Sequence, residues 1–160
     1  MSDGGGDARR LDLGVFAPYR IVVLARAMSE QLGAAYAGEG VSIPEWRVLA
    51  VVSQAASVAA RDVVSRTPMD KMAVSRAVAS LEEKGLIARE PAADRRVSAL
   101  TLSPKGRAVF ERIAAIALDY EAALLGALGE EERRGFFGGL ARLESAVTAD
   151  AAMDHPQAVE

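Results

Sequence analysis

The stretch "MDKMAVSRAVASLEEKGLIAREPAADRRVSALTLSPKGR", residues 69–107, decides which fold this sequence predicts. A helical pattern follows Asp70, a residue type that caps helix N-termini with its side-chain oxygen. Gly85 is placed to end that helix in a left-handed conformation. Two strand-like runs come next, residues 86–89 and 97–102, with charged residues between them. The stretch therefore predicts a helix followed by a two-stranded hairpin.

The tip of this hairpin carries the triplet Asp94-Arg95-Arg96. A surface turn favours Gly, Asn or Asp, so two arginines there need a reason. One interpretation is a solvated loop with an incidental cluster of charges. The other is a wing whose arginine enters a DNA minor groove, where focused negative potential favours a guanidinium. In that interpretation Asp94 holds Arg96 in an extended pose through a charge-assisted pair.

The helix after Asp70 presents two different faces when its residues are placed at 100° intervals. The predicted apolar side consists of Val74, Ala77, Val78 and Leu81. The opposite side is slim and has Lys71 at its flank, with Met72, Ser75, Arg76 and Ala79 along it. Such a face suits a major groove about 12 Å wide, in which Arg76 is a bidentate donor. An ordinary amphipathic helix fits the same pattern, but the hairpin that follows favours DNA binding.

Three further helices are predicted before Asp70. A long helix runs over residues 13–37 on an apolar three- and four-residue spacing. The segment Ser42-Ile43-Pro44-Glu45 is a capping box that opens a second helix. A short third helix covers residues 58–65 with Ser57 as its N-cap, and Pro68 ends that region. Together with the helix after Asp70, the short helix forms a helix-turn-helix pattern.

Two more helices are predicted after the hairpin. Ser103-Pro104 is a strong helix start, an N-cap followed by proline at the first helical position. This helix runs to about Leu124, where Gly126 and Gly129 interrupt the pattern. The last helix begins at the acidic residues 130–132, which suit the positive end of the helix dipole. It carries an apolar stripe of Phe136, Leu140, Leu143 and Val147.

Charge is distributed unevenly along the chain, whose formal net charge is -3. Residues 57–112 contain eleven basic and seven acidic residues, whereas the rest of the chain contains eight and fifteen. A basic middle in an acidic chain indicates one face that meets a polyanion.

The sequence lacks the residues that several classes of function need. The sequence has no cysteine, which excludes disulfides, thiolate metal sites and thiol redox sensing. Its one histidine, His155, lies in a polar stretch near the C-terminus, so neither a histidine metal site nor a Ser-His-Asp triad is expected. We therefore expect no enzyme activity, no cofactor and no metal. Apolar runs are shorter than the roughly 20 residues that span a bilayer, and a signal peptide is not evident. We expect no membrane partner and a cytoplasmic location.

Three motifs resemble the multiple-antibiotic-resistance regulator (MarR) family. A recognition helix ending in Leu-Glu-x-x-Gly-Leu corresponds to residues 81–86, and an Asp-Arg-Arg wing tip to residues 94–96. The closing Leu-Ser-x-x-Gly corresponds to residues 102–106, and the spacing of the three motifs also matches. Two positions depart from the family pattern. Pro68 stands in a turn where glycine is common, and Gly138-Gly139 weaken the last helix.

The resemblance implies a mainly α fold with a small β-hairpin wing (α+β). A winged helix-turn-helix lobe would carry N- and C-terminal dimerisation helices. The implied segments are a disordered tail over residues 1–11, a dimerisation helix over 12–40, the DNA-binding lobe over 41–103, dimerisation helices over 104–149 and a disordered tail over 150–160.

The resemblance also implies a transcriptional regulator, a repressor, whose homodimer binds a pseudo-palindromic operator in double-stranded DNA. The candidate DNA-binding residues are Lys71, Met72, Ser75, Arg76, Asp94, Arg95 and Arg96. Family members commonly bind a small aromatic anion between the dimer helices and the lobe, which releases DNA. The candidate effector-binding residues are Tyr19, Arg20, Trp46 and Arg47, with packing and ion pairing as alternative roles. The alternative function is a winged-helix protein-interaction module without DNA binding.

Overall fold

The computed structural model describes residues 10–91 and 98–153, and these contain six α-helices, one 3-10 turn and three short strands. The helices are α1 (Ala17–Ala35), α2 (Ile43–Val52), α3 (Ala60–Arg66), α4 (Lys71–Glu83), α5 (Pro104–Leu125) and α6 (Glu130–Met153). The strands are β1 (Val58–Ala59), β2 (Ile87–Pro91) and β3 (Ser98–Leu102). The chain divides into two compact units, Met1–Ala117 and Leu118–Glu160. The predicted fold class, mainly α with a small β wing, is confirmed.

Helix α1 begins later than its apolar spacing predicts. The backbone N–H of Phe16 donates to the carbonyl oxygen of Asp12 at 3.0 Å, which makes a turn where the sequence predicts helix. Pro18 lies in the first turn of α1, where its missing N–H costs nothing. The predicted start at Leu13 is therefore wrong. Pro18 is the residue in the sequence that indicates the later start, because proline favours the first turn of a helix. The predicted end at Ala37 also differs, because a 3-10 turn over Ala37–Glu39 follows α1.

The three strands form one antiparallel sheet in the order β1-β3-β2. Strands β2 and β3 are the predicted hairpin, with Ile87 opposite Leu102 and Arg89 opposite Leu100. Strand β1 was not predicted, because Ser57 resembles an N-cap and the sequence predicts a helix from Val58. That prediction is wrong: Val58 pairs with Leu100 and is buried, and helix α3 begins only at Ala60. A non-local strand pairing has overridden the local capping signal.

Helix α4 has the predicted caps and the predicted apolar face. The Asp70 side chain accepts a hydrogen bond from the Ala73 backbone N–H at 2.7 Å. After the helix, Gly85 has a φ of 69°, the left-handed conformation that glycine adopts without steric cost. The predicted apolar side is buried, and it consists of Val74, Ala77, Val78 and Leu81. This burial directs the opposite face of α4 outward.

The core of the first unit lies between α2, α3, α4, the sheet and the start of α5. Its fully buried side chains include Leu49, Leu81, Leu100 and Ile113. Helix α5 is joined to this core at its first turn. There the Ser103 backbone N–H donates to the Leu86 carbonyl oxygen at 3.0 Å, and the Gly106 N–H donates to Ser103 Oγ at 2.9 Å.

The second unit contains the end of α5 and the whole of α6. Arg133 reaches back from α6 and donates through Nη2 to the Leu125 carbonyl oxygen at 3.2 Å, which also accepts from the Leu128 backbone N–H at 3.1 Å. The predicted apolar stripe on α6 is exposed, and it consists of Phe136, Leu140, Leu143 and Val147. Helix α6 continues to Met153, past the Asp150 position where the sequence predicts a tail. Among the helices that the structure describes, none combines the length and apolar character needed to cross a membrane.

Candidate nucleic-acid interface

The outward face of α4 carries four of the predicted DNA-binding side chains. Lys71, Met72, Ser75 and Arg76 are all exposed, on the side opposite the buried residues. Arg76 lies four residues after Met72, so the two side chains share one stripe of the helix surface. The face is slim, since Ala79 and Ser75 add little volume. Two cations on a slim, rigid helix match what a major groove admits.

An ion pair between the buried Glu45 carboxylate and the partly exposed Lys84 fixes α4 against α2. The Glu45 carboxylate lies in the first turn of α2, with its side chain 5% exposed, and Lys84 Nζ lies 2.7 Å from Oε1. Ser80 Oγ donates to the same oxygen at 2.6 Å, and the Ser42 backbone N–H donates to Oε2 at 2.7 Å. Lys84 also donates to the Gly40 carbonyl oxygen at 2.8 Å, just before α2. This network ties the C-terminal turns of α4 to the segment that leads from α1 into the lobe.

The pKa of Glu45 reflects this network. Burial alone would raise the pKa of the carboxyl, but hydrogen bonds from Lys84, the Ser42 backbone and Ser80 outweigh it and lower the pKa to about 2. Glu45 is therefore ionised in the folded chain at neutral pH. The sequence predicted only the local half of this arrangement, the capping box. The partners Ser80 and Lys84 were missed, because 35 and 39 residues separate them from Glu45.

A groove of about 410 Å³ lies beside the outward face of α4. Apolar side chains of α3 and α4 form its floor, and cations stand at its rim: the lining residues are Ala60, Arg61, Val64, Lys71, Val74, Ser75, Val78 and Arg89. Arg89 is paired with Glu82 at 2.9 Å. Arg61 is paired as well, with Asp62 at 3.8 Å, so these two arginines add little net positive charge beside Lys71.

The predicted wing tip cannot be placed against this face, because Asp94, Arg95 and Arg96 lie outside the described residues. The strands that lead to it are described, and β2 and β3 pair up to Pro91 and Ser98.

The four predicted effector-binding residues lie in two different surroundings. Tyr19 and Arg20 are exposed on α1, beside a groove of about 600 Å³ whose described lining comes from residues 13–27. Trp46 and Arg47 do not line that groove. The Trp46 ring instead stacks on Phe110, with ring centroids 5.7 Å apart, and contacts Tyr36 at 5.9 Å. Arg47 Nη2 donates to Ser29 Oγ at 3.1 Å, which connects α2 to α1.

The contacts of Trp46 and Arg47 fit packing roles. Tyr36 is buried beneath them, and burial raises the pKa of its phenol while the nearby Arg47 opposes the increase. Within residues 10–91 and 98–153 there is also no group of three or more His, Cys, Asp or Glu side chains that could hold a metal ion.

The family model for the MarR family matches residues 39–96, which span α2 to the wing. No curated protein matches the sequence. A MarR/EmrR family transcriptional regulator from Acinetobacter sp. ADP1 is 29% identical, with a TM-score of 0.78, over 87% of this chain and 99% of that one. A MarR family transcriptional regulator from Silicibacter pomeroyi is 25% identical, with a TM-score of 0.74, over 87% and 97% of the two chains.

A third structure shares the fold at lower identity. It is a Mycobacterium tuberculosis MarR family protein in complex with p-aminosalicylic acid, 23% identical over 81% of this chain and 99% of that one, with a TM-score of 0.68. The matched segment contains the helix-turn-helix elements α3 and α4 and strand β2, in the order that a winged helix requires. Over residues 39–96 the chain is similar to the MarR family, and solved structures of MarR family transcriptional regulators share its winged helix-turn-helix fold.

Proposed function

We propose that this regulator binds a pseudo-palindromic operator in double-stranded DNA as a homodimer and represses transcription from it. The observation that carries the proposal is the outward face of α4. It places Lys71 and Arg76 on a slim exposed surface, while four buried residues and the Glu45–Lys84 pair hold the helix in position. A helix that reads bases must not reorient when it meets DNA, and this anchoring meets that requirement.

Three residues of this face have proposed roles in general DNA binding. Arg76 is the bidentate donor to a guanine edge, and Ser75 makes a shorter contact to the same region. Lys71, in the first turn of α4, contacts a backbone phosphate. For the wing, the sequence alone supports a minor-groove role for Arg95 and Arg96, with Asp94 orienting Arg96.

The homodimer is supported by apolar surface that one chain leaves uncovered. Helix α1 and the turn before it expose a continuous series of large apolar side chains: Leu13, Val15, Phe16, Tyr19, Ile21, Val22, Val23 and Leu24. In the second unit, α6 exposes its apolar stripe in the same way. Surfaces of this kind are typical of protein interfaces, and a second copy of the chain is the proposed partner.

Light scattering at micromolar concentration is expected to give about twice the chain mass of 16.8 kDa. Replacing Leu24, which lines the α1 groove and is 52% exposed, with Glu should shift the protein toward monomer, because a charge would be buried in the interface. Ala25→Glu is the control, since Ala25 does not line that groove. A wild-type protein that scatters as a stable monomer would contradict the dimer.

An aromatic acid is the proposed effector that releases DNA. The p-aminosalicylic acid in the Mycobacterium tuberculosis structure supports this ligand class, although that structure shares only the fold. Tyr19 and Arg20 are the better proposed contacts, because both line the α1 groove beside the proposed dimer interface, whereas Trp46 and Arg47 already contact Phe110 and Ser29. A regulator of chromosomal DNA acts where the DNA is, so the proposed location is the cytoplasm.

The proposal is tested by the specificity of the wild-type protein. The full chain is used to select duplexes from a random pool, and the affinity for the selected site is compared with that for a scrambled duplex at one salt concentration. We expect a ratio of at least about 1000 and a selected site with inverted half-sites. A ratio near one would contradict operator binding and favour the protein-interaction alternative.

A further inference from the structure

Met72 is exposed in a part of the molecule where other large apolar side chains are covered. Of the large apolar side chains that the structure describes between residues 36 and 117, it alone is exposed, at 63%. The other exposed large apolar residues lie before residue 25, on α6, or at Leu118 on α5. Met72 is therefore not one of the residues that the proposed dimer would cover.

The neighbours of Met72 restrict what can cover it. It lies in the first turn of α4, directly after Lys71 and one turn before Arg76, and neither cation has an ion pair with a described acidic residue. An apolar protein surface laid over Met72 would have to bury two positive charges, which is costly. A polyanion would instead neutralise both charges. The partner that fits these surroundings of Met72 is a polyanion that carries an apolar group.

Double-stranded DNA offers one such group in its major groove, the C5-methyl of thymine. Methionine suits this contact, because its unbranched, polarizable side chain adapts to the position of its partner. The Asp70 side chain accepts a 2.7 Å hydrogen bond from the N–H of Ala73 and so fixes the backbone of this turn. The Cα of Met72 therefore has a defined position.

We propose that Met72 is a specificity-determining residue that packs on the 5-methyl group of one thymine in each operator half-site. The inference rests on the proposed function, since it assigns one base of the site that α4 reads. Met72 selects thymine over cytosine by burying a methyl group, whereas Arg76 selects guanine by hydrogen bonds.

Deoxyuridine provides the test, because it differs from thymidine only by the missing methyl. Each thymine of the selected operator is replaced in turn by deoxyuridine, and affinity is measured for the wild type, Met72→Ala and Met72→Leu. For the wild type we expect one symmetry-related position to lose about four-fold per half-site, the value expected for one buried methyl group. Met72→Ala should bind the two DNAs equally well, and Met72→Leu should retain most of the discrimination.

The outcomes separate this inference from the proposed function. A wild type that does not distinguish operator from scrambled DNA would overturn the proposed function itself. A wild type that binds the operator specifically but is insensitive to every deoxyuridine would overturn only the role of Met72. The same holds if Met72→Ala keeps the full deoxyuridine penalty. Thermal unfolding of the three proteins is the control, and an exposed residue should leave it unchanged within a few degrees.

Discussion

Replacing Gly106 with Ala is expected to lower the free energy of unfolding by about 3 kcal/mol or more. Gly106 is buried in the first turn of α5, where a Cβ would overlap the Leu86 carbonyl oxygen and lie 2.7 Å from its carbon. The neighbouring atoms are backbone, and the same carbonyl already accepts a hydrogen bond from the Ser103 N–H. The overlap can therefore be relieved only by moving α5 away from the lobe.

Urea unfolding, followed by the fluorescence of the single tryptophan, measures this effect at one fixed chain concentration. Trp46 is a suitable probe because it stacks on Phe110 of α5. The matched control is Gly38→Ala, since a Cβ at Gly38 meets nothing within 4 Å, and we expect a change below about 0.5 kcal/mol. If Gly106→Ala were as stable as the control, the close approach of α5 to Leu86 would be wrong.

The second large effect is expected from Lys84→Met, which leaves the buried Glu45 carboxylate without its cation. Removing one partner of a fully buried pair costs about 3–5 kcal/mol. The Lys84 side chain is 38% exposed, so water reduces this cost, and we expect about 2 kcal/mol. The control is Arg89→Met, which breaks the more exposed pair with Glu82 and should cost less than about 1 kcal/mol.

The double variant Glu45→Gln/Lys84→Met should recover at least half of this loss. An amide oxygen in the place of Oε2 can still accept from the Ser42 N–H, the amide NH2 in the place of Oε1 can donate to Ser80 Oγ, and no buried charge remains without a partner. A double variant less stable than Lys84→Met alone would show that Lys84 acts through its bond to the Gly40 carbonyl rather than through the ion pair.

Acid should weaken the ion pair between Glu45 and Lys84. The pKa of Glu45 is lowered from the ordinary value of 4.5 to about 2 in the folded chain, so the carboxylate stabilises the fold above pH 4.5 and loses this contribution as the pH falls toward 2. The difference in stability between wild type and Lys84→Met should accordingly be smaller at pH 3 than at pH 7. An unchanged difference would contradict the ion pair.

The parts of the fold that were predicted correctly depend on local signals. The two faces of α4 follow from its helical spacing, and the Asp70 cap, the Gly85 turn and the Ser103-Pro104 start each involve residues close in sequence. Strand β1 escaped prediction because two residues carry no period, and its partner Leu100 lies 42 positions away. Gly106 is part of a sequence motif, but the sequence does not show why glycine is needed there. The reason is the close Leu86 carbonyl, which only the folded chain brings next to position 106.

In the candidate sites, too, local sequence signals predicted some features and the folded chain was needed for others. The exposed positions of Lys71, Ser75 and Arg76 could be predicted, because burial of one helix face fixes the other. The effector-binding role of Tyr19, Arg20, Trp46 and Arg47 stays a prediction, and the sequence did not indicate their different surroundings, because residue type alone does not distinguish a Trp46 that packs on Phe110 from one that lines a cavity.

The central claim is that α4 reads bases, and comparison of Arg76→Ala with Lys71→Ala on two DNAs tests it most directly. Affinity for the selected operator and for a scrambled duplex is measured for both variants at several salt concentrations. Arg76→Ala should lose about 1–3 kcal/mol of operator affinity for each half-site, with little change on scrambled DNA, and relax preference at one base pair. Lys71→Ala should weaken both complexes alike and reduce the salt slope by about one per half-site. Equal losses on both DNAs for Arg76→Ala would contradict base reading by α4.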